Sequence, residues 1–98
     1  MSMMKVNVGG AEYPCRVTMG AMLRFKRETG RDISDISERL TDVVTWLWCC
    51  VASACSADGV EFGYSLQDFA DRVEPSEMNA FIASQKATES EGGEKKSK

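Results

Sequence analysis

The chain has 98 residues, of which 43% are hydrophobic and 28% charged, with a formal net charge of −3 and no histidine. This length fits one domain, and because the sequence shows no run of about 18 apolar residues and no apolar stretch behind a basic start, we expect neither a membrane span nor a secretory signal. Without histidine the chain lacks the commonest general base and the commonest zinc ligand, so the composition argues against an enzyme.

The four cysteines follow no disulfide or metal-binding pattern. Cys49 and Cys50 are adjacent, Cys55 comes five residues later and Cys15 stands apart. The sequence contains no CxxC pair at zinc-ligand spacing. Reduced thiols behave as small hydrophobic residues, so we expect buried cysteines in a cytoplasmic protein, with no metal and no cofactor.

Charge is segregated along the sequence. Residues 1–31 hold six basic and two acidic residues, whereas residues 32–91 hold three basic and twelve acidic residues. This asymmetry can hold one molecule together, steer a partner or align copies head to tail. The basic residues 1–31 could bind nucleic acid, but the acidic residues 32–91 would repel its phosphates, so the sequence disfavours nucleic-acid binding.

The first predicted element is a β-hairpin over residues 4–17. Gly9 and Gly10 can adopt the positive φ angles of a tight turn. Polar and apolar residues alternate from Lys5 to Val8 before the turn, and a second extended run follows it through Tyr13 to Val17. Pro14 cannot donate to a ladder, so its strand should lie at an edge. The side chains predicted to be buried are Val6, Val8, Tyr13, Cys15 and Val17.

A helix is predicted from Met19 to Thr29. Thr18 is a suitable N-cap, and Gly30 can adopt the left-handed conformation that ends a helix. The apolar side of this helix is expected to hold Met19, Met22, Leu23 and Phe25. The other side would present a basic stripe of Arg24, Arg27 and Arg31, for which an ordinary solvated face is the simpler interpretation.

After a connector anchored by Ile33 and Ile36, the longest helix is predicted over residues 37–57. Its core stripe would comprise Leu40, Val43, Val44, Leu47, Val51 and Ala54. Between Val43 and Ala57 no residue is charged. The reverse face is small and neutral, with Thr45, Cys49, Ala52, Ser53 and Ser56, and Trp46 and Trp48 project at its flanks. We expect part of this helix, with one tryptophan, to lie in a partner or oligomer contact; the alternative is that the rest of the chain covers it.

Two shorter helices complete the predicted domain. Ser65 would cap the first, which runs to Arg72, and Pro75 would start the second, which runs to about Ala87. Their inward residues are expected to be Leu66, Phe69, Ala70, Val73, Met78, Phe81 and Ile82. The prediction is therefore an α+β, mainly α fold in which an N-terminal β-hairpin packs on a bundle of about four helices. One globular domain would span residues 1–87, with the hairpin over 4–17 and helices over 18–87, and residues 88–98 would form a disordered tail.

Several stretches resemble small phage and prophage tail assembly chaperones. They are residues 6–10 (VNVGG), Tyr13-Pro14, residues 16–30, residues 46–55 (WLWCCVASAC) and residues 69–71 (FAD). The resemblance implies a protein of the bacterial host cytoplasm that binds the tape-measure protein while the tail tube assembles, commonly oligomerises and is absent from the finished virion. It also implies a longer form made by ribosomal frameshifting, through which the tail tube protein could be contacted. The family has no catalytic motif.

The sequence therefore predicts a non-enzymatic assembly chaperone that keeps the tape-measure protein soluble and acts as a homo-oligomer, without nucleic acid or membrane. A structural tail or head-completion subunit is the alternative, and a small nucleic-acid-binding regulator is the third candidate. The residues predicted to bind the partner are Met22, Arg24, Phe25, Arg27, Trp46, Trp48 and Cys49.

Overall fold

The computed structural model describes residues 4–36 and 39–84. The elements, in chain order, are β1 (Met4–Val8), β2 (Ala11–Cys15), α1 (Met19–Thr29), a 3₁₀ turn (Ile33–Asp35), α2 (Leu40–Asp58), α3 (Leu66–Arg72) and α4 (residues 75–84). The antiparallel hairpin packs on the helices, which confirms the predicted α+β, mainly α fold. The predicted tail 88–98 and the predicted helix end near Ala87 lie outside the described residues.

The hairpin forms as predicted at its turn and differs at its end. Gly9 and Gly10 have φ of 61° and 91°, and the register pairs Val8 with Ala11 and Val6 with Tyr13. Val6 and Val8 are fully buried. Val17, expected inside, is 46% exposed, because β2 ends at Cys15 and the strand alternation does not continue to residue 17.

Helix α1 has the predicted ends but a different rotation. Thr18 Oγ1 accepts from the Ala21 N–H at 3.0 Å, and Gly30 has φ 77°. Ala21 is buried on the side facing α2, whereas Met19 and Leu23, expected inside, are 71% and 70% exposed. The helix turns its small residues toward α2 because they let the two helices approach closely.

Helix α2 begins three residues later than predicted. Arg39 is extended, with φ −64° and ψ 143°, and precedes Leu40, the first helical residue; positions 37 and 38 lie outside the described residues. Gly59 ends the helix with φ 72°. Leu47 and Val51 are fully buried as expected, but Leu40 is 70% exposed because it stands in the first turn, beyond the elements that cover the rest of the stripe.

Part of the neutral face of α2 is covered by the chain's own α1. Thr45, Cys49 and Ser53 on this face are all buried. Phe25 of α1 meets Trp46 of α2 edge to face, with ring centroids 5.9 Å apart. Ala52 of the same face is half-buried and Ser56 is exposed, so the expected contact of α2 with a partner or second copy stays a prediction.

Within the described part of the chain, α2 is the one helix long and apolar enough to cross a membrane when judged by length and composition alone. The sequence analysis expected no membrane span and did not identify this stretch, because serines and threonines interrupt its apolar run without adding charge. The core helix of a globular fold passes the same test, and 56% of this stretch is buried among the other elements. We therefore describe α2 as the central helix of the fold.

The last two helices close the other side of the core. The Ser65 hydroxyl accepts from the Asp68 N–H at 3.2 Å and caps α3. Phe69 of α3 and Phe81 of α4 are buried as predicted. A bridge between Val8 and Val73 joins the hairpin to the end of α3, and the Asn7 N–H of the hairpin donates to Glu77 Oε1 of α4 at 3.0 Å.

Candidate binding surfaces

Three of the seven predicted partner-binding residues lie in the core. Phe25 and Cys49 are fully buried, and Trp46 is 6% exposed. Burial also raises the pKa of the Cys49 thiol to about 12, which keeps it protonated and unreactive at neutral pH. These side chains stabilise the contact between α1 and α2, so in this structure they do not form a surface for a partner.

Trp48 is held to the segment that follows α2 rather than standing on an open surface. Its indole Nε1 donates to the Tyr64 carbonyl at 3.0 Å, and the ring is half-buried against the core. Phe62 meets both Tyr64 and Tyr13 edge to face, at 5.6 and 5.3 Å. The hydrogen bond gives Trp48 a packing role, because it ties the segment after α2 back to the helix.

The other three predicted residues all lie on α1. Met22 is half-buried and packs on the core, Arg24 is half-buried and Arg27 is exposed. The predicted basic stripe is divided, because Arg31 turns inward to α2, where its guanidinium contacts Asp42 and lies 5.8 Å from the Phe25 ring centroid. What remains for a partner is the outer side of α1.

That outer side carries two exposed apolar residues among cations. Met19, Leu23, Lys26 and Arg27 are all exposed and, at 100° per residue, lie on one side of the helix, opposite the buried side of Ala21 and Phe25. Lys26 makes only a loose ion pair with Asp32, at 3.8 Å. We call these four residues the α1 strip. Sequence reasoning missed its apolar half because it placed Met19 and Leu23 inside; the adjacent small pair at residues 20 and 21 was the available signal.

Two bidentate ion pairs hold α1 in place along α2. Arg16, just before α1, donates to both oxygens of Asp58 at the end of α2, at 2.8 and 2.9 Å. Arg31, just after α1, donates to both oxygens of Asp42 in the first turn of α2, at 2.8 and 3.1 Å. The Arg16 guanidinium lowers the pKa of Asp58 by hydrogen bonding to its charged form. Both ends of α1 are therefore fixed, and the α1 strip is presented on a rigid element.

A second surface is an apolar groove between α2, α3 and α4. Its volume is ≈ 370 Å³, and it is lined by Leu40, Thr41, Val44, Ala70, Val73, Pro75, Met78 and Asn79. Asp71 and Glu74 adjoin lining residues in the sequence, whereas the Glu77 carboxylate accepts from the Asn7 N–H of the hairpin at 3.0 Å. We call this site the α2–α4 groove. Sequence reasoning missed it because Leu40 and Val44 were expected to be part of a closed core.

The α1 strip and the α2–α4 groove lie on opposite sides of the molecule. Asp42, Trp46 and Ser53 mark the side of α2 that contacts α1. On a helix with 100° per residue, Leu40 and Val44 point about 160° away from that side. The α1 strip faces outward from α1, and the groove opens on the far side of α2.

Within residues 4–36 and 39–84 we find no cluster of His, Cys, Asp or Glu side chains that could hold a metal ion. The same residues contain no buried side-chain nitrogen or oxygen without a hydrogen-bond partner. The four cysteines are buried and unpaired with one another by disulfides. Among the described residues, the α1 strip and the α2–α4 groove are exposed apolar surfaces to which another molecule could bind.

The chain matches no protein-family model, no curated protein and no solved structure.

Proposed function

We propose that this protein is a non-enzymatic phage tail assembly chaperone that binds the tape-measure protein through the α1 strip. The observation that carries the proposal is the exposure of two large apolar side chains one turn apart, Met19 at 71% and Leu23 at 70%. The resemblance of residues 6–30 and 46–55 to tail assembly chaperones supplies the class of client.

The chemistry of the α1 strip defines the client segment that fits it. Met19 and Leu23 would cover apolar residues of a client helix, since burying such surface is the main source of binding energy. Lys26 and Arg27 would meet acidic residues beside that apolar stripe and set its register. A long helical protein with exposed apolar stripes needs such cover until the tube subunits arrive.

The rigidity of α1 favours this role. The ion pairs of Arg16 with Asp58 and of Arg31 with Asp42 hold the helix at both ends before any client binds. A surface that is already ordered loses less conformational entropy on binding than a mobile one. We place the protein in the host cytoplasm and outside the finished virion; a structural tail subunit, by contrast, would be detected by mass spectrometry of purified virions.

The test is co-purification of the chain with a co-expressed tape-measure fragment from the same phage or prophage. Wild type should retain the fragment, and both L23E and the double variant K26E/R27E should reduce its recovery by about tenfold or more, a loss of roughly 1.4 kcal/mol in binding. The matched control is L40K, because Leu40 is as exposed as Leu23 and lies on the opposite side of the molecule.

The proposal requires L40K to bind like wild type. It is wrong if wild type fails to retain the fragment, or if L23E and L40K retain it equally well.

A further inference from the structure

We propose that Met19 is an oxidation site, and that hydrogen peroxide, by converting its thioether to the sulfoxide, removes the apolar character of that end of the α1 strip. The selection of Met19 among the sulfur atoms needs only this chain. Its consequence, that oxidation weakens the hold on a client, rests on the proposed function and concerns regulation of the same surface.

The described methionine side chains differ in how far an oxidant can reach them. Met19 is 71% exposed in the first turn of α1, whereas Met22 is half-buried against the core and Met78 is 9% exposed. A thioether reacts only where the oxidant can approach its sulfur atom, and burial slows that approach. Among these three side chains, peroxide should therefore oxidise Met19 first.

The cysteines do not compete with Met19 in the folded chain. All four are buried. Burial raises the pKa of the Cys49 thiol to about 12 and raises the pKa of Cys55 as well, and a hydrogen bond with Cys15 together with burial raises the pKa of Cys50. The thiolate is the form of cysteine that attacks an oxidant, so protonated thiols in the core are inert at neutral pH.

The reaction transfers one oxygen atom to sulfur. The Met19 sulfur attacks one oxygen of hydrogen peroxide, the O–O bond breaks, and the other oxygen leaves as water. The thioether is thereby oxidised and the peroxide reduced. The product carries a polar S–O bond where the side chain was apolar, and methionine sulfoxide reductases reverse the change with a dithiol, which becomes a disulfide while the oxygen leaves as water.

The α1 strip is small enough for this one oxygen atom to matter. Its apolar part consists of Met19 and Leu23, which lie about 6 Å apart along the helix axis, and its other two residues are the cations Lys26 and Arg27. Oxidation of Met19 leaves Leu23 as the one apolar side chain of the four. An apolar client segment offers no donor to the sulfoxide oxygen, so covering it costs free energy.

The first measurement requires no client. Native wild type is treated with hydrogen peroxide at neutral pH, and mass spectrometry of its peptides follows the gain of oxygen at each methionine. Met19 should oxidise about tenfold or more faster than Met78, and the two rates should become similar in urea, which exposes both. In hydrophobic-interaction chromatography the oxidised protein should elute earlier than untreated protein, and the shift should be much smaller for M19L.

The second measurement uses the tape-measure fragment. The chain is oxidised alone, the peroxide is removed, and the fragment is then added. Oxidised wild type should retain about tenfold less fragment than untreated wild type, and reductases for both sulfoxide epimers with dithiothreitol should restore the retention. The matched control is M78L, which keeps Met19 and should remain sensitive to peroxide. M19L, compared with its own untreated sample, should be insensitive.

The proposal is overturned if Met22 or Met78 oxidises before Met19, or if peroxide shifts the elution of M19L as much as that of wild type. It is also overturned if oxidised wild type retains the fragment as well as untreated wild type does; the proposed function would then stand without this inference. Selective oxidation of Met19 with the shift in elution, in a protein that retains no fragment before treatment, would do the reverse.

Discussion

The close approach of α1 to α2 at Gly20 predicts an unusual effect of a Gly-to-Ala change. In most helices this change stabilises by up to about 1 kcal/mol, since alanine has the higher helix propensity. At position 20 a new Cβ would stand 2.9 Å from Ser53 Oγ, too close for both atoms to stay in place. Ser53 is buried, and its hydroxyl is hydrogen-bonded to Thr18. Moving it costs about 1 kcal/mol for the hydrogen bond and about 1–3 kcal/mol for overpacking.

We therefore expect G20A to lower the free energy of unfolding by about 1–3 kcal/mol, which is the sum of these costs less the gain in helix propensity. In a chain of this size that lowers Tm by roughly 5–25 °C. The S53A background should reverse the sign, because the next atoms around the new Cβ are the flexible Arg24 Nη1 at 3.3 Å and Thr18 Oγ1 at 3.5 Å. There G20A should be neutral or stabilising by up to about 1 kcal/mol, a coupling of roughly 2 kcal/mol between the two sites.

The assay is urea unfolding of the four chains of this double-mutant cycle, followed by circular dichroism. G63A is the matched control, because Gly63 has open space around its Cβ position and should change stability by less than about 0.5 kcal/mol. If G20A stabilises the wild-type chain, or destabilises equally with and without Ser53, the packing of α1 on α2 described above is wrong.

Three further changes test the remaining interactions. The Arg16 guanidinium lowers the pKa of Asp58, so this ion pair stabilises the fold at pH values above the ordinary carboxyl pKa, and the stabilisation is lost as pH falls through the lowered pKa. Wild type should therefore have a larger free energy of unfolding than D58N at pH 7, and the difference should shrink below about pH 4. Urea unfolding across this pH range measures the difference. L47A should lower the free energy of unfolding by about 2–5 kcal/mol because Leu47 is fully buried, whereas L40A should lower it by less than about 0.5 kcal/mol because Leu40 is exposed. The same unfolding assay measures both changes. Native protein at pH 8 should show no rapid reaction of its four thiols with a disulfide reagent, because all are buried and the pKa of Cys49 is raised to about 12; urea should expose all four.

The sequence predicts local structure well where the signal is carried by backbone chemistry. Gly9 and Gly10 mark the hairpin turn because both adopt positive φ. Thr18 and Gly30 mark the two ends of α1 because one accepts from a free N–H and the other takes the left-handed conformation. These devices act within a few residues, so their outcome does not depend on the rest of the fold.

The rotation of α1 could not be predicted in the same way. Met19 and Leu23 are apolar, and the pattern alone assigns them to the core beside Phe25. The structure instead places Gly20 and Ala21 against α2, because small residues allow a closer approach than two long side chains. Which side of a helix packs better depends on the partner helix, and that information is not contained in one amphipathic pattern.

The neutral face of α2 shows the same division between what a pattern decides and what packing decides. The absence of charge from Val43 to Ala57 correctly indicates that something must cover this helix. The pattern does not show whether the cover is a partner or the chain itself. In the structure α1 covers part of it, with Phe25 against Trp46, and among the described residues the α1 strip and the α2–α4 groove are exposed.

The most direct measurement of the binding role of α1 is a nuclear magnetic resonance titration of the ¹⁵N-labelled chain with an unlabelled tape-measure fragment. We expect the largest amide shifts at Met19, Leu23, Lys26 and Arg27, with the indole signals of Trp46 and Trp48 nearly unmoved, because both rings remain packed in the fold. Saturable binding that leaves residues 19–27 unshifted, or that moves both indole signals most, would show that the client uses another surface.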